Sequence, residues 1–209
     1  RGVTEITTAT PQPPEAGHLY VIGADLAKVQ DFTVITVYDR ANNNQVAQDR
    51  FNKLEYPFVK RKIYEMSKTY NDALVTIDST GIGEPIYDDL VRSGIPIEPY
   101  RFTNQTKKDL IEKLSVWIEQ KRFRMLNIPE TIREFNNFTY DISSSGRIMY
   151  NAPQGFFDDI VISHGLAVWQ LQPIISTVKE KPKTLIEEMY ERQVERKTTE
   201  EQYEEYEYT

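Results

Sequence analysis

The chain has 209 residues, 39% hydrophobic and 27% charged, with a formal net charge of −7 and no cysteine. That length and apolar content suit one domain with a real core. The missing thiols exclude disulfides, thiolate catalysis and zinc–thiolate sites and fit a reducing cytoplasm, and no run approaches the roughly 20 apolar residues of a membrane helix.

The chain opens on Arg1 rather than Met, so a longer protein is expected around it. Residues 1–17, with Pro11-Gln12-Pro13-Pro14, read as a proline-stiffened linker from an upstream domain. Leu19 to Asp25 is a continuous apolar run that ends on an acid, the pattern of a strand buried on both faces. Phe32 to Tyr38, the turn Asn42-Asn43-Asn44 and Gln45 to Phe51 add two strands, giving three antiparallel neighbours. Residues 57–70 predict a helix opened by Pro57, with Phe58, Ile63 and Met66 toward the core.

A second apolar run, Ala73 to Asp78, also stops on an acid, and a helix over 84–93 and a short strand from Ile95 to Tyr100 follow. Residues 106–122 form an amphipathic helix, with Leu110, Ile111, Leu114, Trp117 and Ile118 at 3/4 spacing. Pro129 to Phe135 reads as a helix. Phe138 to Ile142 and Arg147 to Tyr150 flank Ser143-Ser144-Ser145-Gly146 as a hairpin, and a last core helix runs from about Asp158 to Gln170. The order predicts a mixed α/β sheet with helices on its faces. Residues 179–209 carry ten Glu against six Lys and Arg and read as a charged tail. The remaining body is closer to charge balance, which keeps a local basic groove open.

Two strands ending in Asp25 and Asp78, plus the pair Asp158-Asp159 at a late helix start, form a template for two hard cations. Carboxylate oxygens suit Mg²⁺, and two divalent ions about 4 Å apart are the usual device for phosphodiester hydrolysis. A single Asp at a strand end is commonly a turn former or a helix cap. Convergence would decide between the readings, because like charges repel unless a cation joins them.

Four segments resemble the nuclease domain of phage large terminases, in order and at suitable spacing across residues 18–172. Val21-Ile22-Gly23-Ala24-Asp25-Leu26-Ala27 with Asp31-Phe32-Thr33-Val34-Ile35 resembles the first-strand motif, and Thr76 to Gly83 the second acidic motif. Asn104 to Ile111 resembles the basic helix start, and Tyr150 to Asp159 the final acidic motif. The resemblance implies a ribonuclease H-like fold, with a nuclease domain over 18–178 and a C-terminal tail over 179–209. It implies a DNA endonuclease that cuts concatemeric viral genomes by two-metal hydrolysis, with Mg²⁺ or Mn²⁺ held by Asp25, Asp78 and Asp159. Asp158 stays open as a ligand, since neighbouring helical side chains diverge by about 100°. Phe157 stands where family members often carry His, which removes one donor.

The same resemblance implies double-stranded DNA as substrate, an upstream ATPase motor domain, portal and small terminase as partners, and the cytoplasm of an infected bacterium as the location. No Gly-x-x-x-x-Gly-Lys-Ser/Thr loop occurs in the chain. Lys107, Lys108, Lys28 and Arg101 are the candidate phosphate contacts, with Arg147 a weaker one. Lone lysines are commonly just solvated. Asp31 reads equally well as a turn residue, and His164 and His18 as packed or surface histidines. Competing readings are another ribonuclease H-like nuclease (a resolvase or an RNA–DNA hybrid nuclease) and a non-catalytic packaging-motor docking module.

Overall fold

A computed structural model of the chain describes residues 3–26, 32–81, 83–142, 148–151 and 157–173. The central sheet contains β1 (Tyr20–Asp25), β2 (Thr33–Asp39), β3 (Asn44–Phe51), β4 (Leu74–Asp78) and β5 (Ile97–Tyr100), in the order β3-β2-β1-β4-β5. β1, β2 and β3 pair antiparallel, whereas β4 lies parallel to both β1 and β5. The mixed sheet expected from the element order is therefore present. A separate antiparallel hairpin joins β6 (Thr139–Ile142) to β7 (Ile148–Asn151); its expected turn, with Arg147, lies outside the described residues.

Alternation along β1 divides the core in two. Tyr20, Ile22 and Ala24 join one apolar cluster with Val59 and Ile63 of α2 (Tyr56–Thr69) and Ile86 and Leu90 of α3 (Gly83–Arg92). Val21 joins the other, with Leu110, Leu114 and Trp117 of α4 (Asn104–Glu119) and Leu166 and Val168 of α6 (Asp159–Gln170). Between α4 and α6 in the chain lies α5 (Pro129–Asn137).

α4 starts two residues earlier than the apolar spacing indicates. Thr103 and Thr106 form a reciprocal capping box there, satisfying amides that the periodicity cannot see. On α2 the buried positions are Val59, Ile63 and Ser67, while Phe58 is 54% exposed. The i, i+4 pair of Val59 and Ile63 sets the buried face, which leaves Phe58 about 100° away from it.

The Pro-rich segment expected to serve as a linker packs against the body. A short helix, α1 (Val3–Ile6), buries Val3 and Ile6 in the α4–α6 cluster. The backbone beyond it bonds at Met125 N to Ile6 O (2.8 Å), Ala9 N to Met125 O (3.0 Å) and Gln12 N to Val46 O (3.1 Å). Two apolar residues spaced three apart are too few for periodicity to register. Residues 179–209 lie outside the described part.

Candidate active site

Gly23, in the middle of β1, decides where the last helix sits. A Cβ on Gly23 would stand 1.9 Å from the Ser163 carbonyl oxygen and 2.5 Å from the Ala167 nitrogen. The bare glycine lets the α6 backbone lie directly on the strand. Ser163 Oγ locks the crossing, bonding to Gly23 O at 2.9 Å and to Thr36 Oγ1 at 2.8 Å. Asp25 lies two residues beyond Gly23, and Asp159 one helical turn before Ser163. The seating of one helix on one glycine thus brings two acids from opposite ends of the chain together.

The third acid arrives through the sheet. Ala24 pairs with Ile77 across parallel strands, so Asp25 and Asp78 are the next residues of adjacent strands. A cavity of about 220 Å³ opens at these strand ends, lined by Asp25, Asp78, Asp158, Asp159 and Lys107. Thr80, Phe102 and Ile162 complete much of its wall.

Burial pushes the Asp25 carboxyl well above the usual carboxylate range. The charges of Asp159, Asp158 and Asp78 push it further the same way, and the Lys107 ammonium opposes them. Each other acid has a protein donor. Asp78 Oδ1 accepts from Thr80 N at 2.7 Å, Asp159 Oδ2 from Phe32 N at 3.2 Å, and Asp158 Oδ2 pairs with Lys107 Nζ at 3.0 Å. Among the described residues, no three carboxylate or imidazole groups are drawn in tightly enough to hold a single ion. The donor set nevertheless fits a hard divalent cation: four carboxylates line one cavity, and the charge that the other three place on Asp25 is what a cation would relieve.

Of the candidate cations, Lys107 faces the cavity. Lys108 runs forward along α4, 3.6 Å from Glu112 one turn ahead, and Arg101 is exposed on the β5–α4 connection. Lys28 and Asp31 lie outside the described residues. Phe157 is 41% exposed and packs edge-to-face on Phe32 at 5.3 Å, with the Arg50 guanidinium 3.4 Å above the Phe32 ring.

His164 is fully buried and its pKa is lowered by burial to about 3, so it is neutral. Its Nδ1 meets Tyr38 Oη at 2.7 Å and its Nε2 meets Gln48 Oε1 at 3.2 Å, which makes it a structural histidine. His18 precedes β1, at the end of that strand away from Asp25, and lies 2.8 Å from Asp39.

One residue that sequence reasoning missed is Glu134 of α5, 8% exposed. Its Oε1 accepts from Ile160 N at 2.5 Å and Val161 N at 3.0 Å, the amides that follow Asp159. Burial raises its pKa to about 7; the two backbone bonds and Arg50 oppose the rise, and Asp159 adds to it. An acid in an amphipathic helix carries no local signal for a contact 26 residues away.

The terminase RNase H-like domain model matches residues 22–154. The chain belongs to that family. Large terminase subunits of Thermus virus P23-45 and Thermus phage G20c are 31% and 30% identical to this terminase domain over 156 residues. The match takes in 74% of the chain and 32% of each relative, so the chain spans about a third of their length. The solved large terminase nuclease of phage G20c superposes with a TM-score of 0.73 at 28% identity, over 77% of this chain and 87% of that one. The same nuclease with bound magnesium gives 0.73 at 29% identity, over 77% and 86%. The large terminase nuclease domain of Thermus phage P74-26 gives 0.71 at 28% identity, over 77% and 83%. The mixed sheet of the terminase domain is thus the RNase H-like sheet.

Proposed function

We propose that the domain is a metal-dependent endonuclease that cuts concatemeric double-stranded DNA during phage genome packaging. The observation that carries this reading is the cavity in which Asp25, Asp78, Asp158 and Asp159 meet beside Lys107. Family membership supports it, as do the related G20c nuclease structures with bound magnesium, cobalt and zinc.

Asp25, Asp78 and Asp159 are the ligands in this proposal, for two divalent cations, Mg²⁺ or Mn²⁺. Bound there, the ions supply a water activated near neutral pH and stabilise charge on the attacking and leaving oxygens. Asp25 and Asp78 are fixed by the rigid central strands, and Asp159 by the first turn of α6. Asp158 keeps Lys107 at the cavity mouth, where the ammonium can meet a phosphate of the cleaved strand. Lys108 and Arg101 would touch flanking phosphates, and Lys28 is assigned on its place in the sequence just past Asp25 alone. Such contacts hold the backbone and do not read bases.

In the same reading, residues 1–17 lead from an ATPase motor domain and 18–178 are the nuclease. The tail over 179–209 meets other packaging components, such as portal or small terminase, in the host cytoplasm. The test is cleavage of duplex, four-way junction and RNA–DNA hybrid substrates in Mg²⁺ and Mn²⁺. The expected result is duplex cutting that Asp25→Asn abolishes. Full-rate cutting by that variant would sink the proposal, and a preference for junction or hybrid would transfer it to a resolvase or hybrid nuclease.

A further inference from the structure

The start of α6 is capped in an unusual way. Asp158 occupies the N-cap position yet makes no side-chain capping bond, although Asp is among the preferred residues there. Its carboxylate faces the cavity and pairs with Lys107 at 3.0 Å. The buried amides of Ile160 and Val161, two of the orphan donors of a helix start, are instead satisfied by Glu134 from α5.

We infer that Glu134 is a positioning residue for the acidic cavity: by capping α6 from another helix, it frees Asp158 from that duty and fixes the turn that carries Asp159. The inference rests on the metal-nuclease reading above. An N-cap Asp normally folds its carboxylate over the first turn to reach these amides. Were Asp158 to do so, it would leave the cavity and Lys107 would lose its partner. With Glu134 in place the two tasks are divided: one carboxyl closes the helix and the neighbouring pair faces the cavity.

Glu134 is itself held firmly. Thr131, on the same face of α5 one turn earlier, is fully buried and bonded to Gln48 of β3 at 3.1 Å. The helix that carries the capping side chain is therefore tied to the sheet that carries Asp25. Both amides bond to a single oxygen, Oε1, so the cap needs a carbonyl-type acceptor at that reach and does not need the negative charge. Glu134→Gln keeps the acceptor and Glu134→Asp keeps the charge but withdraws the oxygen by one methylene. The pair separates position from electrostatics.

The experiment measures two quantities in the wild type and both variants: hydrogen exchange of the Ile160 and Val161 amides without metal, and Mn²⁺ affinity by calorimetry. Glu134→Asp is expected to speed exchange at both amides about tenfold and weaken Mn²⁺ binding about tenfold, the lower end for partners that orient ligands. Glu134→Gln is expected to stay within about twofold of wild type in both. Wild-type Mn²⁺ affinity in Glu134→Asp overturns the inference, because a cap that serves stability alone would leave the cation unaffected. Equal impairment in Glu134→Gln overturns it too, because a neutral acceptor of unchanged reach would then fail to hold the turn. A wild type that binds no Mn²⁺ while exchange still responds to Glu134→Asp overturns the metal reading instead and keeps the cap.

Discussion

Ser163 Oγ bonds to the carbonyl of Gly23 at 2.9 Å, and a Cβ on Gly23 would stand 1.9 Å from Ser163's own carbonyl oxygen. This backbone-on-backbone crossing is what sets Asp25 and Asp159 in one cavity.

Gly23→Ala is therefore expected to dislodge α6. Both atoms that the new methyl would meet are backbone and cannot swing aside. The loss should reach or exceed the upper end of ordinary overpacking, about 3 kcal/mol. Chemical denaturation checks the stability, and Mn²⁺ titration checks the cavity.

Asp25→Asn should stabilise the metal-free domain while abolishing cleavage. The Asp25 pKa is raised by burial and by Asp159, Asp158 and Asp78. An acid raised in this way favours the fold most below its unfolded pKa and less as pH climbs toward its folded one. The stability advantage of Asp25→Asn should thus grow with pH above about 4. Cleavage should fall at least about 100-fold, as expected for a direct ligand. Denaturation at several pH values and a nicking assay report the two effects, and a variant less stable than wild type at pH 8 would contradict the first.

His164 and Glu134 should pull the pH profile in opposite directions. Burial lowers His164 to about 3 from 6.5, so its neutral form loses stabilising effect as pH falls through that window. It faces Tyr38, Gln48 and the Phe135 ring, none of them charged. Glu134, facing Asp159 and Arg50, is raised to about 7 from 4.5, so its contribution is lost as pH rises through that window. Each slope is at most about 1.4 kcal/mol per pH unit. The two nearly cancel between pH 4.5 and 6.5 and leave His164 alone below. Glu134→Gln should expose the His164 slope, so its stability relative to wild type should rise with pH from 4.5 to 7. A flat difference across that range would refute the opposition.

Lys107→Ala should separate cation binding from DNA binding. Removing an ammonium 3.0 Å from Asp158 raises the negative potential of the cavity, so Mn²⁺ should bind a few-fold more tightly without DNA. Duplex binding, measured on an Asp25→Asn background, should weaken across all sequences. Its salt-dependence slope should fall by about one. Unchanged salt dependence would remove Lys107 from the DNA path.

Much of the site is legible in the order of residues alone. Asp25 and Asp78 end runs so apolar that only buried central strands suit them, and strand pairing makes them neighbours. Lys108 and Phe58 show where such reading stops. Both sit on correctly located helices, yet Lys108 turns toward Glu112 and Phe58 toward solvent, because helix rotation is set by what packs beneath it. Glu134 is invisible in the sequence for a related reason: its partners are two backbone amides of another helix.

The sequence by itself determined the alternation of strands and helices, the acids at their ends and the family motifs, since all of these depend on near neighbours in the chain. Only the tertiary structure decided that Asp158 pairs with Lys107 while Glu134 caps α6 in its place. That choice turns on which of two carboxyls reaches the same pair of amides, and reach is a property of how α5, α6 and the sheet pack.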